Sequence, residues 1–126
     1  MPYQTNTGLQ YDKQHAITLV AAANLAAARF IGYDGNYATG AGGVHDAQGV
    51  SEAPAPLGYA LPCITHYSAL VEASEPIALG DWVTVASDGS GRAAVGSSAN
   101  HCGRALGQAS AAGQLLEVQV LAHVHA

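Results

Sequence analysis

Charge is scarce in this chain of 126 residues: only 10% are Asp, Glu, Lys or Arg, and the cations are Lys13, Arg29, Arg92 and Arg104. With a formal net charge of −5 there is no basic stripe to neutralise phosphates, so nucleic acid is not an expected partner. No apolar run approaches the ~20 residues of a membrane span, so no membrane partner is expected either. Met1-Pro2-Tyr3-Gln4 lacks the basic start of a signal peptide, which predicts a protein made and kept in the cytoplasm of its cell. Bulky core residues are equally few, with one Trp, one Phe and one Met among 49% hydrophobic residues, much of the remainder being Ala. At roughly 25 cal/mol per Å² such a core is thin. A domain of this size leaves about a third of its unfolded-chain surface exposed, so self-association is the expected remedy. The two cysteines, Cys63 and Cys102, show no metal spacing and read as free buried thiols in a reducing compartment.

Reactive constellations are missing too. There is no G-x-S-x-G elbow. Ser68 follows His66 by two residues, but no Asp is near in sequence to orient the imidazole. Glu72 and Glu75 lie just before Pro76 at a strand-to-turn junction and read as solvated rather than as an acid/base pair. Gly40-Ala41-Gly42-Gly43 has neither the Lys nor the strand-to-helix setting of a phosphate loop. His123 and His125 share one face of a strand, yet a third ligand is lacking unless a symmetric oligomer multiplies the pair. His15, His45, His66 and His101 are scattered and read as loop or rim residues. The expectation is a protein with no catalytic residue, no metal and no cofactor, and so not an enzyme.

What the chain does contain is a duplication. Asp34-Gly35 recurs as Asp88-Gly89 and Gly49 as Gly103, each 54 residues on, and Gly58 recurs as Gly113, 55 on. Apolar positions follow: Ile31 with Val85, Val50 with Arg104-Ala105, Leu61 with Leu116, Cys63 with Val118. Each unit has an Asp-Gly turn, a Gly opening a strand and a second turn Gly, as expected of a repeated hairpin-and-strand module. Within Ile17–Ile31 the Ala run favours a helix, but its counterpart IALGDWVTVA contains Gly80-Asp81 and then the strand WVTV, so Arg29–Tyr33 is predicted as a strand. Thr39–Gly49 and Gly96–His101 read as surface loops. The last segment alternates, with Leu116, Val118, Val120, Ala122 and Val124 on one side and Glu117, Gln119, Leu121, His123 and His125 on the other. Pro54, Pro56, Pro62 and Pro76 preclude long helices through the middle.

The predicted fold class is all-β: a small barrel or sandwich of two similar hairpin-and-strand units, with at most one short helix. Residues 16–126 form a single β domain, preceded over residues 1–15 by an extended N-terminal arm. The arm carries Tyr3, Gln4, Tyr11 and Lys13 and has no period of 2 or 3.6, so it has no face to bury on its own core; the plain alternative is a frayed terminus. Tyr favours places dry at one end and wet at the other, interfaces included. Tyr33 and Tyr59 read equally well as residues of ordinary sheet faces.

The stretches ARFIGYDGNYATGAGGVHDAQGVSEAPAPLGYALPCI, IALGDWVTVASDGSGRAA and HCGRALGQASAAGQLLEVQVL together resemble the small head-decoration, or capsid cement, proteins of tailed bacteriophages. The likeness runs from about Ala26 to Leu121 and rests on the order and spacing of Arg-Phe-x-x-x-Asp-Gly, Gly-Val, Gly-Asp-x-Val, Gly-Arg-Ala and the closing Gly-x-Ala-Ser pattern. It implies a compact β barrel or sandwich, often trimeric. It also implies a structural role on the outer surface of the virion, where the chain would bind the major capsid protein between neighbouring subunits. The longer Tyr- and Gln-rich arm and the terminal His-Val-His depart from the family pattern. The arm is expected to order on the capsid by adding a strand to a sheet edge, with Tyr3, Gln4, Tyr11 and Lys13 as contacts. A β-barrel ligand- or receptor-binding module of a phage particle is the competing reading, and a small hydrolase a remote third.

Overall fold

The computed structural model describes residues 16–124. The arm expected over residues 1–15, with Tyr3, Gln4, Tyr11 and Lys13, lies outside the described residues, as does His125. Among the described residues there are nine strands: β1 Ala16–Val20, β2 Phe30–Gly32, β3 Ala47–Ser51, β4 Ala60–Ile64, β5 Ser68–Glu72, β6 Trp82–Val85, β7 Ala93–Val95, β8 His101–Ala105 and β9 Leu115–Val124. The short helix reduces to one 3-10 turn, Gly43–His45. All pairing between strands is antiparallel, in two sheets ordered β1-β4-β3-β2 and β5-β9-β8-β6-β7. Neither sheet closes on itself, so the all-β fold is a small sandwich and not a barrel.

The two sheets are the two repeat units. Strands β1, β4, β3 and β2 are matched in order by β5, β9, β8 and β6. The place of β7 is taken in the first unit by Tyr37-Ala38, where Tyr37 bridges Ile31 and the Ala38 N–H donates to Phe30 O at 3.0 Å. Even the loop crossings repeat. Leu25 and Ala55 exchange backbone hydrogen bonds of 2.8 and 3.0 Å, and Ile77 and Ala109 exchange two of 2.9 Å. Both Asp-Gly turns are held alike, Asp34 Oδ1 accepting the Asn36 N–H and Asp88 Oδ1 the Ser90 N–H, each at 3.0 Å. The Gly that follows each Asp has φ near 80°, which other residues resist.

The register refines the sequence alignment. Ile31 lies opposite Gly49 and Val83 opposite Gly103, so Ile31 corresponds to Val83, not Val85. From Ile31 to Gly49 the chain runs 18 residues and from Val83 to Gly103 it runs 20, so the offset is 52 in β2 and β6 and becomes 54 by the Asp-Gly turns. Cys63 opposes Ser51 as Val118 opposes Ala105, the correspondence expected. Gly49 and Gly103 sit inside their strands rather than opening them. Thr39–Gly49 is not all loop either, since β3 begins at Ala47.

Six buried positions line each unit: Ala21, Leu25, Ile31, Ala55, Leu61 and Cys63 in the first; Ala73, Ile77, Val83, Ala109, Leu116 and Val118 in the second. These explain the Ala run. Ala21 and Leu25 are buried in the connection between β1 and β2, and pairing of β1 with β4 overrides the helix propensity of the intervening alanines. The units then pack head to tail. Phe30, Val50 and Ile64 oppose one another across β2, β3 and β4 and therefore share the other face of the first sheet. That face is buried in one core with Val83, Leu116 and Val118 of the second unit. Burying each such side chain contributes about 1.5–3 kcal/mol.

Polar contacts lock the joint. The Phe30 N–H donates to Gly91 O at 2.7 Å and the Glu72 N–H to Ala28 O at 2.9 Å. Arg29 donates to Ser90 O at 2.8 Å and to Glu72 Oε1 at 3.3 Å, while Arg92 Nη1 lies 3.7 Å from Glu72 Oε2. Glu72 is thus half-buried between two guanidinium groups, one from each unit, and Glu75 accepts the Val95 N–H at 2.9 Å. The solvated reading fails for Glu72, whose carboxylate is held where the two units meet, and stands for Glu75, which is exposed and accepts a backbone N–H of its own unit.

Candidate interaction surface

Strand β1 is an edge of the first sheet: it pairs with β4 on one side, and no strand among the described residues pairs with the other. Natural edges are usually blunted by charge, Pro or a bulge. AITLV has no charge or Pro, and its pairing with β4 runs without a register shift. Ile17 and Val20 are 44% and 62% exposed. At the Val20 end stand Leu57 and Tyr59, 62% and 66% exposed, carried there by the register of Val20 with Ala60. At the Ile17 end opens a cleft of about 630 Å³ whose walls include Tyr33, Gln48, His66, Val120 and Leu121. The result is a largely apolar edge between a cleft and two exposed side chains, Leu57 and Tyr59, whose outer backbone groups have no strand partner among the described residues. Such an edge has the chemistry that could take up an extended segment, with main-chain bonds for affinity and side-chain pockets for specificity.

The residues weighed for catalysis have the following partners among the described residues. Ser68 Oγ donates to Glu117 Oε2 at 2.8 Å, while His66 Nδ1 lies 2.9 Å from Thr65 Oγ1. His45 Nδ1 is 3.4 Å from Asp34 Oδ2 across the loop after β2. The His101 ring lies against Trp82, centroids 4.1 Å apart. His123 falls on β9. Among the described residues no three His, Cys, Asp or Glu side chains gather as a metal site. Cys63 and Cys102 are free and buried, and burial pushes both thiols up to about 12.

Tyr33 and Tyr59 are not on sheet faces; both lie outside the strands and are highly exposed. Tyr37 instead turns inward, its hydroxyl accepting the Ala26 N–H at 2.8 Å. Val20 and Leu57 were missed as surface residues. The missing charge and Pro in AITLV was the available signal, hidden by the helix propensity of the alanines that follow.

No protein-family model matches the chain, and no curated protein matches it. Among solved structures it is similar to the head fiber gp8.5 N base of bacteriophage phi29, with a TM-score of 0.62 and 18% sequence identity over 83% of this chain and 92% of that one. That likeness establishes a shared fold.

Proposed function

We propose that this protein is a structural component of a tailed-phage head, a decoration or cement protein that binds the outer capsid surface between major capsid subunits and stabilises the shell. The observation that carries the reading is the fold shared with a phage head fiber base, reached from a sequence that independently resembles the decoration proteins. The architecture suits the task. A sandwich whose two units are tied by Arg29, Glu72 and Arg92 is a stiff body, and its apolar edge β1 is reached directly from residues 1–15. In this reading the arm contacts the major capsid protein through Tyr3, Gln4, Tyr11 and Lys13, and the protein self-associates as a trimer. Several modest contacts then add by avidity. It acts by binding and catalyses nothing. The neighbour's being a head fiber part favours a second reading, a ligand- or receptor-binding module of the particle.

Co-sedimentation with assembled heads tests the proposal. The full chain is expected to pellet with heads and to raise the temperature at which they rupture, and deletion of residues 1–15 or Ile17→Lys is expected to weaken binding by about tenfold or more, a loss of roughly 1.4 kcal/mol. A full chain that stays in the supernatant and leaves rupture unchanged refutes it.

A further inference from the structure

The second sheet turns outward the face that the first sheet turns inward. Phe30, Val50 and Ile64, the row by which the first unit grips the second, have as register equivalents Trp82, Arg104 and Gln119. Arg104 and Gln119 are exposed and Trp82 half-buried. The two rows share geometry but not chemistry. The Arg104 guanidinium carbon stands 4.3 Å from the centre of the Trp82 ring, and Arg104 Nε donates to Gly80 O at 3.0 Å, which fixes the side chain. Arg29 and Arg92 are both ion-paired to Glu72. Arg104 is the one cation among the described residues without a carboxylate, and its two Nη groups have no protein partner there. Apolar neighbours flank it. The Gly80 N–H bond to Ala105 O at 2.9 Å brings the chain at Leu79, 67% exposed, beside the chain at exposed Leu106.

We propose that this face, centred on Trp82 and Arg104, docks a segment of another protein that presents an Asp or Glu carboxylate between apolar side chains. The Nη groups of Arg104 take the carboxylate, and Trp82, Leu79 and Leu106 take its neighbours. Trp and Arg are the residue types that most often dominate interface energetics, and a guanidinium already stacked and tethered loses little freedom on binding. The net charge of −5 opposes an acidic partner at a distance, but physiological salt screens beyond about 8 Å, so recognition is short-ranged and specific to this spot. A second copy of the chain does not fit the role by the internal mode of packing, because the equivalent acceptor residues of the first unit, Ile31, Leu61 and Cys63, are already sealed at 0–2% exposure.

Trp82 is the chain's single tryptophan and reports on its own site. The full chain is titrated with acetyl-Leu-Glu-Leu-amide, acetyl-Leu-Gln-Leu-amide and inorganic phosphate, following Trp82 fluorescence and its indole N–H resonance. A saturable shift is expected with the Glu peptide, at least about tenfold weaker with the Gln peptide, as loss of a charge-assisted bond implies. It is expected to vanish in Arg104→Gln, and also in Leu79→Asp, an exposed turn change that leaves the probe in place. Equal response to the two peptides, an unchanged response in either variant, or a phosphate response matching the Glu peptide overturns the proposal.

Discussion

Gly49→Ala and Gly103→Ala measure the duplication directly. The two glycines occupy the same place in the two units, opposite Ile31 and Val83, inside strands where nothing about a turn requires glycine. A Cβ at position 49 would stand 2.4 Å from Ile64 O and 2.7 Å from Cys63 Sγ; at 103 it would stand 2.5 Å from Val118 Cγ1 and 2.6 Å from Gln119 O. Carbon and oxygen in neighbouring strands normally approach to about 3.3–3.6 Å, so the paired strand must move by about an ångström. The atoms met are backbone carbonyls and buried side chains, which cannot swing aside. Overpacking of that kind costs about 1–3 kcal/mol, and with backbone in the way each variant belongs at the upper end, about 2–3 kcal/mol. With a urea slope of about 2 kcal/mol per molar, the unfolding midpoint falls by about 1 M at unchanged slope. Gly107→Ala is the control: its nearest neighbour is Glu117 N at 3.7 Å, ordinary contact, so the variant is expected to be neutral or more stable by up to about 1 kcal/mol. Wild-type midpoints for both glycine variants would refute the close approach, and a shift in only one would refute the equivalence of the units.

Other substitutions probe the joint and the core. Glu72→Gln removes the negative charge shared by Arg29 and Arg92, whose side chains are 18% and 27% exposed; a loss of about 1–2 kcal/mol is expected in urea unfolding, shrinking in 1 M salt. Ser51→Ala deletes a buried hydroxyl that donates to Ala26 O at 2.8 Å and accepts the Arg29 N–H at 3.1 Å, and is expected to cost about 1–3 kcal/mol in thermal melts. Cys63 and Cys102 are expected to resist a thiol reagent at pH 8 in the folded protein and to react fully in urea, read by mass spectrometry. Their folded values near 12 lie above the usual 9.0, so unfolded thiols ionise first and stability falls as pH rises past 9, seen as a lower urea midpoint at pH 10 than at pH 8.

Much of the fold was legible because local chemistry spelled it. Trp82–Val85 is a strand as its β-branched run predicts, and the observed β2 at Phe30–Gly32 lies within the predicted Arg29–Tyr33. Residues 16–20 were harder to read, since their strand state depends on pairing with β4 forty or more residues away. The interaction surface was less legible. Ile17, Val20 and Leu57 look in sequence like any apolar residues, and their exposure follows from β1 being the last strand of its sheet.

That there are two like units, and where their chains reverse, is written in local residue chemistry. Asp-Gly turns with φ near 80° and glycines beneath a neighbouring strand are needs met residue by residue, so they leave marks that repeat. Which face of each unit meets the other is set by long-range packing alone. The first sheet is apolar on both sides, with Ile31, Leu61 and Cys63 on one and Phe30, Val50 and Ile64 on the other, so alternation cannot rank them. The choice came from packing energy summed over distant residues, and it left the Trp82 and Arg104 side open to solvent.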